Sequence, residues 1–155
     1  MSIKYVFGID FGTESARAIL VNVQNGSIVA SAVSPYPHGV ITDSLPGTDI
    51  KLQPQWALQN PNDYLHTLRE TVTNCLADSK IKKEEVIGIG VDFTASTILP
   101  VDGSGIPLCL CPDFKENPHS WVKLWKHHAA DKEAALINSR GAKRSESFLQ
   151  RYGGE

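Results

Sequence analysis

Cysteine is scarce in this chain: Cys75, Cys109 and Cys111 are its three in 155 residues. The odd number and the lack of a C-x-x-C spacing exclude a disulfide framework and a zinc site of the usual pattern. All three are expected as buried free thiols, Cys75 on an apolar helical face and Cys109 and Cys111 on one face of a strand around Leu110. Long apolar runs are also missing, and none approaches the roughly 20 residues of a membrane span. Met1-Ser2-Ile3-Lys4 leads straight into a strand, without the basic head, apolar core and cleavage site of a secretion leader. No charge of one sign dominates: the formal net charge is -2, which points away from nucleic acid and anionic membranes as partners. A cytoplasmic protein is the expectation. With 41% apolar residues the composition is ordinary for a globular chain. The length suits one domain, burying about two-thirds of its unfolded surface.

What is present is organised around residues 5–17. Tyr5 to Asp10 alternates as a strand, Phe11-Gly12-Thr13 turns, and Ser15 to Asn22 runs apolar again. Gly12 is free to take a positive φ there. Such a turn aims several backbone N–H groups and the Thr13 and Ser15 hydroxyls into one concavity, a nest that suits phosphate oxygens. Asp10, at the end of the strand, can hold Mg²⁺ directly or through water. Arg17 falls on the same side of the second strand as Ser15 and can meet a phosphate. A D-x-G-T turn is also an ordinary hairpin, so the turn alone leaves both readings open.

Asn25-Gly26 turns the chain into a third strand, Ile28 to Val33, completing an antiparallel meander that is not the opening of a dinucleotide-binding domain. Residues 35–55 carry Pro35, Pro37, Gly39, Pro46, Gly47 and Pro54 and show no periodicity. A loop of that length is a functional surface or a solvated insertion. His38, inside it, reads as a surface residue. Asn60-Pro61 starts a helix that runs to about Asp78 or Ser79, with Leu65, Leu68, Val72, Cys75 and Leu76 on its apolar face. Trp56 is expected against the sheet or the helix start.

Val86 to Phe93 reads as a central parallel strand, with Ile87, Ile89, Val91 and Phe93 on one face and Gly88, Gly90 and Asp92 on the other. Thr94-Ala95-Ser96-Thr97 then lies at a carboxyl edge, where open α/β sheets gather ligands. Ile98 to Val101 and Leu108 to Cys111 are expected as strands. Val122 to Trp125 is either part of a helix that begins at Trp121 or a short strand followed by a helix from about His127 to Gly141. Adjacent His127 and His128 point different ways, which suits surface or capping roles and gives no metal spacing. Ser145 to Tyr152 is expected as a last short helix.

Several of these stretches together resemble the FGGY family of carbohydrate kinases. They are Gly8-Ile9-Asp10-Phe11-Gly12-Thr13-Glu14-Ser15, Pro35 to Val40, Trp56-Ala57-Leu58-Gln59, Gly88 to Ala95, and Trp121 to Ala130. The resemblance covers nearly the whole chain, and the last two stretches are its most specific. It implies an α/β, ribonuclease-H-like or actin-like ATPase fold. The chain would be the N-terminal part of the first domain, 1–155, with a mixed sheet and flanking helices. The activity it implies is ATP-dependent phosphorylation of ribulose, or a related pentulose, in arabinose catabolism.

The resemblance also assigns residues. Asp10 matches the metal- and phosphate-side aspartate, Gly12, Thr13, Glu14 and Ser15 the phosphate turn, and Arg17 a basic residue beside the phosphates. Phe93, Thr94 and Ala95 match the loop that contacts the sugar, and Trp125 an aromatic against it. From the residues alone, Trp125 is equally a core tryptophan, and Phe93 a side chain packed beside Ile89 and Val91. In the family the catalytic base and the second, adenine-holding domain lie beyond residue 155, so the chain supplies one wall of a cleft and is expected to be inactive alone. The competing expectations are another kinase of the family, acting on xylulose or glycerol, and a non-catalytic actin-like binding module. Homo-oligomerisation is left open.

Overall fold

Alternating side chains build the sheet of this computed structural model, in which residues 3–144 are described. Tyr5–Phe11 (β1), Ser15–Asn22 (β2) and Ile28–Pro35 (β3) form the expected antiparallel meander, with Phe11 opposite Ala16 and Ser15 opposite Pro35. The β2–β3 turn closes by a bond from the Gly26 N–H to the Asn22 carbonyl at 2.9 Å, with Gly26 at φ 72. That left-handed conformation costs glycine nothing.

Leu58–Gln59 (β4) precedes a 19-residue helix, Pro61–Ser79 (α1). Its start is the one the sequence implies. Asn60 Oδ1 accepts from the Asn62 N–H at 3.0 Å, and Pro61 opens the helix. The buried face differs from the leucine stripe. Thr67, Thr71 and Cys75 are fully buried, whereas Leu65 is 63% exposed. Both threonine hydroxyls donate back to carbonyls of the helix, Thr67 to Asp63 and Thr71 to Thr67. This satisfies the hydroxyls internally and lets the side chains sit against the sheet. Phe7, Ile9, Ala18, Leu20 and Cys75 form the core there, flanked by Leu68, Val72 and Leu76.

Val86–Phe93 (β5) pairs in parallel with β1, Asp10 beside Asp92 and Phe11 beside Phe93, and the sheet order is β3-β2-β1-β5. The parallel pairing is as expected, but the central position is not. Among the described residues β5 has β1 as its one neighbour, and Ile87, Ile89, Val91 and Phe93 are all more than half exposed. The apolar density that suggested a central strand instead lies on an uncovered margin beside α1.

Residues 36–57 and 94–130 form a second body of structure. Val122–Lys123 (β6) pairs with β4, and Ile41, Leu45, Leu58, Cys109 and Trp121 make a separate core. Here two expectations fail. Ile98 and Val101 form isolated bridges, and Leu108–Leu110 is a 3-10 turn, so Cys109 is buried while Cys111 is partly exposed. Pro107 starts that turn, and the bond from Leu108 N–H to the Pro100 carbonyl replaces a ladder. The three thiols are free, as expected. The second helix, Asp131–Gly141 (α2), starts four residues after His127 and buries no side chain. The helix expected over 145–152 lies outside the described residues. No described helix is long and apolar enough to cross a membrane.

Candidate functional site

The turn between β1 and β2 is built without a left-handed residue. Gly12 is not among the positive-φ positions; its need is space. A Cβ there would sit 3.2 Å from the Ser15 carbonyl oxygen and 3.3 Å from an Arg17 guanidinium nitrogen. The Gly12 N–H closes the turn on that same carbonyl at 2.9 Å. Four side chains or segments brace the turn from outside. The Tyr36 hydroxyl donates to the Gly12 carbonyl at 3.0 Å, and the Gln59 amide donates to the Thr13 carbonyl at 2.7 Å. The Trp125 indole N–H donates to Thr13 Oγ1 at 3.0 Å, and the Thr94 N–H donates to the Phe11 carbonyl at 3.1 Å. Among the described residues, the N–H groups of Thr13 and Glu14 have no protein acceptor.

Burial first, and then the Asp10 carboxylate, pushes the Tyr36 phenol up to about 12. Burial likewise holds Tyr64 well above the ordinary phenol range, with Tyr36 and Asp63 adding to it. Both hydroxyls therefore remain protonated donors at neutral pH.

Asp10, Arg17 and Asp92 share the sheet face opposite α1, with Gly8, Gly90 and Ile19, along an open groove of about 510 Å³. Arg17 stands directly across from Asp10, and its guanidinium donates to Asp10 Oδ2 at 2.8 Å. The expectation that Arg17 reaches toward phosphate therefore meets a partner already in place. That partner is easily exchanged, because exposed ion pairs contribute about 0–1 kcal/mol. Asp92 Oδ1 accepts from the Phe93 N–H at 2.9 Å.

No group of three or more His, Cys, Asp or Glu side chains among the described residues is arranged to hold a metal. Magnesium fits such a place nonetheless, because it keeps waters and substrate phosphates as ligands and takes one or two carboxylates from the protein. Asp10 is the residue that would hold it.

Of the four residues assigned to the sugar, two share the lining of one cavity. Phe93 and Thr94 line a mainly apolar cavity of about 230 Å³ on the α1 side of the sheet, with Phe11, Tyr64, Leu99 and Val122. Ala95 lies in the turn after β5, and its carbonyl accepts from the Thr97 hydroxyl at 3.5 Å. Ser96 beside it holds φ 56, a conformation unusual for a residue with a side chain. Trp125 is 52% exposed, not a core residue, and its tie is to Thr13.

The histidines hold structure together. His38 donates its N–H and its ring Nδ1–H to the buried Asp63 carboxylate, at 3.0 and 2.7 Å, latching the long loop to the start of α1. The Ala57 N–H donates to His127 Nδ1 at 3.1 Å. The Trp56 ring packs edge-on to His119 and His127, centroids 5.0 and 4.8 Å away, and not against the sheet. His128 donates its N–H to the Gln55 carbonyl. Tyr36, Gln59 and Tyr64 are the site residues that sequence reasoning missed. The one signal was Gln59 itself, a polar residue between the apolar Leu58 and the helix cap.

The architecture is that of the sugar-kinase branch of the actin-like ATPase fold. A gluconate kinase from Lactobacillus acidophilus superposes with a TM-score of 0.68 at 19% identity, over 90% of this chain and 23% of its own. A xylulose kinase from Rhodospirillum rubrum gives 0.65 at 22%, over 94% and 25%. In sequence, residues 5–135 match the N-terminal domain of the FGGY family of carbohydrate kinases. Ribulokinases of Geobacillus thermodenitrificans and Halalkalibacterium halodurans are 57% and 55% identical across the whole chain, which spans 27% and 28% of their length. A ribulokinase of Staphylococcus aureus is 43% identical over 97% of the chain. The chain belongs to the FGGY family of carbohydrate kinases.

Proposed function

We propose that this chain is the N-terminal part of a kinase that transfers the γ-phosphoryl group of ATP to the terminal hydroxyl of ribulose. The observation that carries the reading is the braced turn at residues 11–14, with two unengaged amide N–H groups in the turn that follows Asp10. Phosphoryl transfer asks a protein for positioning and charge stabilisation, and a rigid nest of N–H donors supplies both. In this reading Gly12, Thr13, Glu14 and Ser15 hold phosphate oxygens. Arg17 exchanges its bond with Asp10 for one to the nucleotide. Asp10 would hold magnesium, which when bound would supply charge neutralisation at the phosphates. Thr94 and Ala95 edge the sugar site, and the half-exposed Trp125 ring packs on the C–H face of the pentulose. Phe93 belongs to the same loop, with its ring in the apolar cavity. The proton acceptor and the nucleotide clamp come from the part of the enzyme after residue 155. The reaction would serve arabinose breakdown in the cytoplasm.

Ribulose is favoured over xylulose because the relatives at 43–57% identity bear the name ribulokinase, whereas the xylulose kinase comparison is at 22% identity and speaks to fold alone. A coupled ADP-release assay of the full-length protein on L-ribulose, D-xylulose, ribitol and glycerol tests this. The expected result is the highest kcat/KM on L-ribulose. A preference for D-xylulose or glycerol would move the enzyme elsewhere in the family, and no turnover on any polyol would favour a non-catalytic module.

A further inference from the structure

Two successive peptide planes of the phosphate turn are pinned by side chains from outside it. The Gly12 carbonyl accepts from the Tyr36 hydroxyl at 3.0 Å, and the Thr13 carbonyl accepts from the Gln59 amide at 2.7 Å. A trans peptide carries its C=O and N–H on opposite sides. Fixing the two carbonyls toward Tyr36 and Gln59 therefore turns the N–H groups of Thr13 and Glu14 the other way. These are the two turn amides without a protein acceptor among the described residues.

Gln59 is 1% exposed, and its orientation is not free. A carbonyl can only accept, so the amide N–H must face Thr13 and Oε1 must face Tyr64, whose hydroxyl donates to it at 2.6 Å. Thr13 is held at its side chain as well. An indole N–H can only donate, so Thr13 Oγ1 accepts from Trp125 and its own hydrogen remains to be given elsewhere.

We propose that Tyr36 and Gln59 are positioning residues of the phosphate turn, which act through the Gly12 and Thr13 carbonyls to point the following N–H groups at the phosphate. The proposal rests on the kinase reading, and the experiment separates the two. In the full-length protein, Tyr36→Phe removes one oxygen and Gln59→Met removes the amide at similar volume. Each should weaken MgATP binding, measured by calorimetry, by roughly tenfold, the loss of about one hydrogen bond's worth of preorganisation. The KM for the sugar should stay within about twofold of the parent's.

Folded variants that bind MgATP as the parent does overturn the proposal, even where the thermal midpoint drops, since a purely structural role lowers stability without changing the affinity of the folded fraction. If Gln59→Met does not fold, Tyr36→Phe decides alone. A parent that binds MgATP but phosphorylates no sugar ends the kinase reading and leaves the binding comparison in force. A parent that does not bind MgATP ends both.

Discussion

Asp10 and Arg17 are bonded to each other across β1 and β2, and the proposed function gives each a different role toward a nucleotide. With side chains 45% and 56% exposed, the pair is screened by solvent and contributes little to stability. Replacing Asp10 should therefore leave the fold intact while removing the carboxylate proposed to hold magnesium. Asp10→Ala in the full-length protein is expected to lower kcat by about a hundredfold or more, the scale of removing one preorganised electrostatic group. Its thermal midpoint should stay within a few degrees of the parent. Retained activity would take Asp10 out of the site. Residue identity alone made Asp10, Gly12 and Thr13 legible, because strand alternation places the acid and turn chemistry places the glycine. Gly12 was legible for the wrong reason, though. It is required by the proximity of Ser15 and Arg17, and not by a left-handed backbone.

At the scale of elements, the β4–β6 pair and its histidine hold the second body of structure together. His127 accepts from the Ala57 N–H next to β4, and its pKa is lowered by burial first, then by the Lys123 cation on β6. In the unfolded chain this histidine titrates near 6.5. Between that value and its lower folded one, the unfolded state holds more protons, so stability falls as pH drops below about 6.5 and levels off once the folded ring also protonates. The urea midpoint of the chain should accordingly be lower at pH 5.5 than at pH 7.5, and His127→Gln should shrink that difference. An unchanged difference in the variant would assign the pH dependence to other groups. Helix α1 was readable because a cap, a proline and a 3.6-residue period agree. Its buried threonines were not, since a hydroxyl satisfied by the helix's own carbonyl looks polar in a sequence and behaves as apolar in the packing. The 3-10 turn at Leu108 was missed for a related reason, the Leu-Cys-Leu run having the alternation of a strand while Pro107 sets another course.

For the whole molecule, the open margin at β5 is the largest departure from expectation. Its four apolar side chains continue the sheet face that α1 covers on β2 and β3, yet all four are more than half exposed. The chain spans about 27% of the length of the ribulokinases it matches. On the proposed reading it supplies one wall of a cleft, and it should turn over L-ribulose far more slowly than about 1 s⁻¹, the lower end of ordinary enzyme rates. The same ADP-release assay on the 155-residue chain checks this, and ordinary kinase turnover would mean that the chain contains its own base.

By itself the sequence determined the opening three-strand meander, the start of α1, the strand at Val86–Phe93 and the family, since all of these rest on spacing between residues close in the chain. The tertiary structure decided what those signals cannot carry. It brought Tyr36, Gln59 and Trp125 onto one turn from separations of 24, 46 and 112 residues. Contacts of that range are fixed by which faces pack together, and local periodicity holds no record of them.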